Sequence, residues 1–262
     1  MVRLRLKTSQ VRWGINPYLT ITDFSIIGEV PKVIEELIIP GESKNGDAIV
    51  GMLSLTKAIN RLATRGCKEI SRLVFNDKIV LVDLGALAYV KIVKSVVWPS
   101  KCKTIPEECF FNSSIENVEN IDHVDTIKAR AFAGSNIKEV DWPVNARAIS
   151  TSTFLNSGLK VIRGIENVKT IFPEAFSKTQ IKEFTWPNNC STVSPRVFAD
   201  CKRLDSVRLS ESIEHIYFSA FDGCTSLPCV DLSSCCFLKA IHKSRRETPV
   251  VVQSYYSYYN EK

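Results

Sequence analysis

The chain is expected to fold as a right-handed solenoid of short coils, an α/β-type repeat made mostly of β and irregular segments. Three recurring positions carry that expectation, each returning every 22 or 23 residues. Coils start at Val93, Ile115, Ile137, Leu159, Ile181, Leu204 and Leu227, and in the first six the seventeenth residue onward is Phe110, Phe132, Phe154, Phe176, Phe198 and Phe221. The twelfth is β-branched throughout: Ile105, Ile127, Ile149, Ile171, Val193 and Ile216. The third is Val96, Val118, Val140, Ile162, Phe184 and Val207. About seven to eight such coils, each with a short strand, stack into a parallel sheet on one face. Three regions follow: an N-terminal cap over 1–69 (strands plus a helix at about 48–65), the solenoid over 70–241, and a tail over 242–262.

In chain order, Val2, Leu4 and Leu6 alternate with Arg3, Arg5 and Lys7, a period of two that predicts a strand with one basic face. The segment IEELIIP (34–40) resembles VKSVVWP (93–99). Asp47 to Gly66 is patterned as an amphipathic helix carrying Ile49, Met52, Leu53, Ile59 and Leu62, with Asp47 at its start and Gly66 at its end. This region is expected to cover the open end of the stack. Residues 70–87 are a worn copy of the coil, in which Ile70, Leu73, Phe75, Ile79, Val82 and Leu87 keep its offsets.

The third full coil, residues 137–158, shows how a unit is made. Val140 and Trp142 share the inward face of a short strand. Pro143 ends the strand because it has no amide proton. Ala146 and Ile149 lead back inside, Phe154 anchors the return side, and Asn156-Ser157-Gly158 supplies turn residues. One coil buries too little to offset the entropy of ordering it, so coils must stack.

A second period overlies the first. Trp98, Trp142 and Trp186 are 44 residues apart, each followed by proline, while the coils between place Asn120 and Gly164 at that slot with Ile121 and Ile165 next. Two readings fit. Bulky and small residues alternate so that Trp rings do not collide, or a small register shift turns Ile121 and Ile165 inward.

Leu227, Val230 and Leu232 open a last coil that fades near Ile241, and the tail after it reads as a strand or loose extension. A chain of 262 residues with 45% hydrophobic residues buries a substantial interior, and a formal charge of +6 spread among acidic residues excludes a strongly basic nucleic-acid binder. The N-terminus lacks the unbroken apolar core of a secretory signal, and no run reaches the roughly 20 apolar residues that span a bilayer. As given, the chain reads as cytoplasmic. The nine cysteines agree with a reduced compartment. Cys102 and Cys190 occupy apolar ninth positions, as does Cys236, and Cys109 sits in an alanine slot.

The unit LDSVRLSESIEHIYFSAFDGCTS (204–226) closely resembles the BspA-type leucine-rich repeat, and Leu204, Val207, Leu209, Ile213, Ile216, Ala220, Phe221 and Cys224 carry the match. The resemblance covers about residues 70–241, with departures in the 22-residue coils and the Trp-Pro/Ile alternation. It implies a leucine-rich-repeat solenoid that serves as a binding scaffold, and a cell-surface or secreted setting with adhesion or host-surface recognition. Cys224 falls in the family's turn-side cysteine slot beside Cys201, and export would bring those two within disulfide reach.

Catalytic constellations are not evident. His123 and His215 fall four coils apart, about 19 Å along the axis at ~4.8 Å per coil, and His242 lies past the clear repeats. No phosphate-cradling glycine loop or nucleophile turn occurs. The C-terminal cysteines, C-x4-C-x5-C-C from Cys224 to Cys236, lack paired zinc knuckles, so neither metal nor cofactor is expected. Asn112-Ser113-Ser114 and Asn189-Cys190-Ser191 match the glycosylation sequon and bear on function only on a secretory route.

Function is expected on the sheet face, where the first, second and fourth places after each coil start form columns. Lys94, Glu116, Lys138, Glu139, Asp141, Lys160, Arg163, Lys182, Glu183 and Arg208 are the candidate partner-binding residues. Solvated cross-strand pairing, such as Lys138 beside Glu116, is the competing explanation. The expected function is a non-enzymatic scaffold that binds another protein or a surface polymer. The alternative is an intracellular adaptor whose tail, with Lys243, Arg245, Arg246, Tyr255, Tyr256, Tyr258 and Tyr259, contacts nucleic acid or membrane.

Overall fold

The computed structural model describes residues 3–5, 30–39, 55–242 and 251–253. They form a parallel-stranded solenoid with three lengthwise rows of main-chain hydrogen bonds. The first ladder holds Arg3–Arg5, Val33–Ile39, Glu69–Phe75, Val93–Val97, Asn117–Glu119, Glu139–Asp141, Val161–Arg163, Glu183–Thr185, Ser206–Arg208, Cys229–Asp231 and Val251–Gln253. The second holds the two-residue strands Thr104–Ile105, Thr126–Ile127, Ala148–Ile149, Thr170–Ile171, Thr192–Val193, His215–Ile216 and Ala240–Ile241. All pairing is parallel, and register advances by one coil, as in Val96 beside Val118 and Ile105 beside Ile127.

The third row runs along the return side and is built from turns. Phe110 donates its amide to the Ala131 carbonyl at 2.8 Å, Phe132 to Thr153 at 2.9 Å, Phe154 to Ala175 at 2.9 Å, Phe176 to Val197 at 3.0 Å and Phe198 to Ala220 at 2.8 Å. Each donor points toward the next coil, so this row is polar in one direction, unlike a β-ladder. Left-handed residues two places before and after each phenylalanine make this geometry, for example Arg130 (φ 56°) and Gly134 (φ 66°) around Phe132. At the second of these places stand Asn112, Gly134, Asn156, Asp200 and Gly223, glycine because it lacks a Cβ and asparagine and aspartate because their short polar side chains tolerate φ above zero, with Lys178 the exception.

The same row aligns the core. Phe110, Phe132, Phe154, Phe176, Phe198 and Phe221 stack nearly parallel, with centroids 5.1 to 5.9 Å apart and planes within 13°. Trp98, Trp142 and Trp186 are buried edge-on against this column, and each indole N–H donates to the carbonyl four residues on: Cys102, Ala146 and Cys190. A buried indole therefore carries no unpaired donor.

Both readings of the 44-residue period hold. The tryptophans alternate with small residues, and Asn120 (φ 61°) and Gly164 (φ 75°) are left-handed, which turns Ile121 and Ile165 into the core. The Gly164 slot is also sterically closed, since a Cβ there would lie 2.9 Å from the Trp142 carbonyl oxygen.

At the N-terminal end the helix Leu55–Thr64 buries Leu55, Ile59 and Leu62 against the first coils. Gly66 (φ 100°) ends it, and the Cys67 amide reaches back to Leu62 at 3.1 Å. Asp47 and the helix start expected near residue 48 lie outside the described residues. The Thr56 hydroxyl donates to the Ala86 carbonyl at 2.7 Å, so the helix satisfies a carbonyl that faces backward off the first turn. The strand expected at the N-terminus is present as Arg3–Arg5, beside Glu36–Ile38.

One core assignment is corrected. Cys236 is exposed and Cys235 is buried in its place. In earlier coils the turn into this slot starts one residue beyond the tryptophan position, as Pro99 to Cys102, whereas here it starts at Leu232 and reaches Cys235. The core register therefore advances by one.

Replacing Phe154 by Ala, mid-column, is expected to cost about 3–5 kcal/mol by denaturant titration, and Phe154→Leu should recover most of it. Gly164→Ala is expected to cost more than about 1 kcal/mol, with an equal-to-native midpoint counting against the closed slot.

Candidate functional site

The sheet face is the outer side of the first ladder. Its inward residues (Val96, Val118, Val140, Phe184, Val207) are buried, so the alternate positions must point to solvent. Ten candidate residues lie there, and the structure divides them into two groups.

Six are engaged in cross-coil ion pairs. Glu116 lies between Lys94, at 3.1 Å, and Lys138. The lysines hold its carboxyl below the usual range, Lys138 contributing most, and Glu116 in turn raises Lys94. Arg163 reaches back to Glu139 at 2.7 Å and Asp141 at 3.4 Å. Glu119, outside the candidate set, accepts from Arg72 and from the Ser95 hydroxyl, both at 2.8 Å; Arg72 does most to lower its carboxyl. These contacts join neighbouring coils, so the cross-strand pairing expected for Lys138 and Glu116 is present.

The other four are Lys160, Lys182, Glu183 and Arg208. They are exposed, and among the described residues no ion pair engages them. Unpaired charge therefore collects on the C-terminal half of the face, where Asp205 continues the column of Lys160 and Lys182 and Asp231 follows on the next strand, three exposed cations to three exposed acids.

Within the ion-paired group lies a cleft of about 380 Å³, lined by Asn117 to Asp122, Glu139 to Asp141, and Arg163. It opens where the strands Asn117–Glu119 and Glu139–Asp141 are neighbours without pairing. The left-handed Asn120 bends the chain at its floor, and its side-chain amide donates to the Trp98 carbonyl at 2.8 Å. Glu119, Asp122, Glu139 and Asp141 make this cleft acidic, with Arg163 at one wall. Sequence columns located Glu139, Asp141 and Arg163 but not the cleft, although the Asn120 and Gly164 substitutions marked the coils that bend.

The remaining candidates for chemistry are dispersed. His123 lies within hydrogen-bond distance of the Pro99 carbonyl at 3.0 Å. His242, set aside by the repeat pattern, instead approaches His215, with ring centroids 5.8 Å apart, and stacks on Tyr217 at 4.4 Å. The register that sets Ile216 beside Ile241 brings them together, and its 25-residue spacing is off the 22- or 23-residue period. Among the described residues no three His, Cys, Asp or Glu side chains gather as metal ligands. Cys201 and Cys224 are buried thiols in successive turns, bonded to the Phe176 and Phe198 carbonyls at 3.0 Å each. Burial pushes the Cys224 thiol up to about 12. No helix among the described residues is long and apolar enough to cross a membrane.

The model of the BspA type leucine rich repeat region matches residues 57–181 and 169–244, in six copies. No curated protein matches the chain. Among solved structures, a leucine-rich repeat protein from Bacteroides ovatus is similar at 14% identity over 93% of this chain and 88% of that one, TM-score 0.42. A leucine-rich repeat protein from Eubacterium ventriosum is similar at 14% identity over 83% and 91%, TM-score 0.35. A leucine rich cell surface protein from Faecalibacterium prausnitzii is similar at 13% identity over 91% and 94%, TM-score 0.29.

The lowered carboxyl of Glu116 gives a pH test. A depressed folded value means its pairing is present above the ordinary glutamate value of about 4.3 and lost as pH falls through the lower midpoint. An NMR titration should show that midpoint below the ordinary value and show it rising in Lys138→Met. Because the pair faces water, Glu116→Gln should change stability by less than about 1 kcal/mol.

Proposed function

We propose that this chain, which belongs to the BspA-type leucine-rich repeat family, is a non-enzymatic scaffold that captures another protein or a surface polymer on its sheet face. One observation carries this reading. Most candidate charges on that face are used to tie coil to coil, yet Lys160, Lys182 and Arg208 are left exposed and outside any ion pair on three consecutive coils. Lys160 and Lys182 occupy one column, where like charges on neighbouring strands disfavour each other. An acidic partner would relieve that repulsion.

The resemblance to this family supports a cell-surface role in adhesion or host recognition. Partners in the family's manner would meet the ribbon formed by the strands, with the acidic cleft beside Arg163 taking a basic group at its N-terminal side. Lys138 is less suited to direct contact because Glu116 already holds it.

Affinity capture by the intact chain in its native setting, followed by mass spectrometry, identifies the retained partner. Reversal of Lys160, Lys182 and Arg208 to Glu should then reduce its capture at least about tenfold, by loss of two or three charge contacts, with an unchanged thermal midpoint. Unchanged capture places the site elsewhere. Deleting 243–262 separates this from the tail-based adaptor reading, whose tyrosines and arginines lie outside the described residues: the sheet-face model keeps binding and the adaptor model loses it.

A further inference from the structure

From the coil starting at 93 to the one starting at 204, two kinds of boundary alternate, and at 204/227 only the second ladder pairs. Within the coil pairs starting at 93 and 115, 137 and 159, and 181 and 204, both strand ladders are closed. The Trp98, Trp142 and Trp186 amides extend the first ladder to Glu119, Arg163 and Arg208, at 3.0, 2.8 and 2.8 Å. The Lys128, Phe172 and Tyr217 amides extend the second to Ile105, Ile149 and Val193, at 3.0, 2.9 and 2.9 Å.

At the boundaries between these pairs, 115 to 137 and 159 to 181, neither ladder pairs. The first ladder keeps only bonds at its approach: Lys138 amide to Glu116 at 3.3 Å, and Gln180 amide to Leu159 at 2.9 Å. On the second, the Ile127 and Ile171 carbonyls are met by hydroxyls, from Ser150 at 2.6 Å and from Ser194. These serines are themselves 44 residues apart. The turn row crosses both boundaries intact, through Phe132 to Thr153 at 2.9 Å and Phe176 to Val197 at 3.0 Å, with stacked rings at 5.4 and 5.3 Å.

We infer that the solenoid flexes in two-coil steps, its strand sides parting at the 115/137 and 159/181 boundaries about a hinge formed by the turn row and phenylalanine column. A serine side chain turns about Cα–Cβ to move its oxygen and about Cβ–Oγ to aim its hydrogen, so it can follow a shifting carbonyl, whereas a backbone amide is fixed in its peptide plane. Serine at these two places therefore holds the second ladder together without stiffening it. The acidic cleft is the mouth of the first boundary. This inference concerns the free protein and stands apart from the binding proposal.

Residue-resolved amide hydrogen exchange on the intact chain, corrected for intrinsic rates, tests it. Boundary amides of Asp141, Thr185, Ser150 and Ser194 should exchange at least about tenfold faster than the matched amides of Arg163, Arg208, Lys128 and Phe172. Phe132 and Phe176 should be protected as well as Phe154. The variant Ser150→Ala with Ser194→Ala should speed the boundary amides further and leave Phe132 and Phe176 unchanged. Equal protection at matched positions overturns the inference, as does exchange at Phe132 and Phe176 as fast as at Asp141. The native comparison decides the matter even if the double variant does not fold.

Discussion

Six successive coils depend on face-to-face contact between their phenylalanines, Phe110 to Phe221. That stack holds only if successive return segments superimpose, and they do because their turn amides all donate forward onto the next coil's carbonyls. Packing and hydrogen bonding thus share one axis. Stability in such an array is a sum of coil and nearest-neighbour terms, so the ends require special treatment. The helix Leu55–Thr64 supplies it at one end, closing the apolar face with Leu55, Ile59 and Leu62 and meeting a stray carbonyl with Thr56.

Alternation of coil type follows from the size of one side chain. Trp98, Trp142 and Trp186 fill the core edge-on, and the next coil in each of the first two cases makes room by placing Asn120 or Gly164 in a left-handed bend. The bend carries an isoleucine inward, which preserves the apolar lining, and it follows a strand that pairs back to the tryptophan coil but not forward to the next one. Good packing inside a coil pair is therefore obtained with incomplete strand pairing to the next pair. The acidic cleft, the serine hydroxyls on the second ladder and the break in the sheet all lie on that seam.

The charged face divides into groups that pair between coils and groups that do not. Glu116 and Arg163 each hold partners from adjacent coils, and such exposed pairs contribute little individually. Their effect is to withdraw their own charges from any partner. Lys160, Lys182 and Arg208 form no ion pair among the described residues, although Asp205 stands beside Lys182 and Glu183 lies on the strand next to Arg208. Residue type alone does not separate these groups, for Arg163 and Arg208 occupy the same column and differ only in the neighbours that the ladder brings to them.

Periodicity by itself determined the coil length, the phenylalanine column, the inward valines and the end of the helix at Gly66, because each of these depends on a residue's own chemistry repeated at a constant interval. It located Glu139, Asp141 and Arg163 on the right face for the same reason. Only the folded structure decided which lysines are neutralised, that Cys235 and not Cys236 is buried, that His242 meets His215, and where the ladder opens. Those outcomes turn on shifts of one residue or a few ångströms between stacked coils, and a contact of that kind belongs to two distant stretches of chain at once.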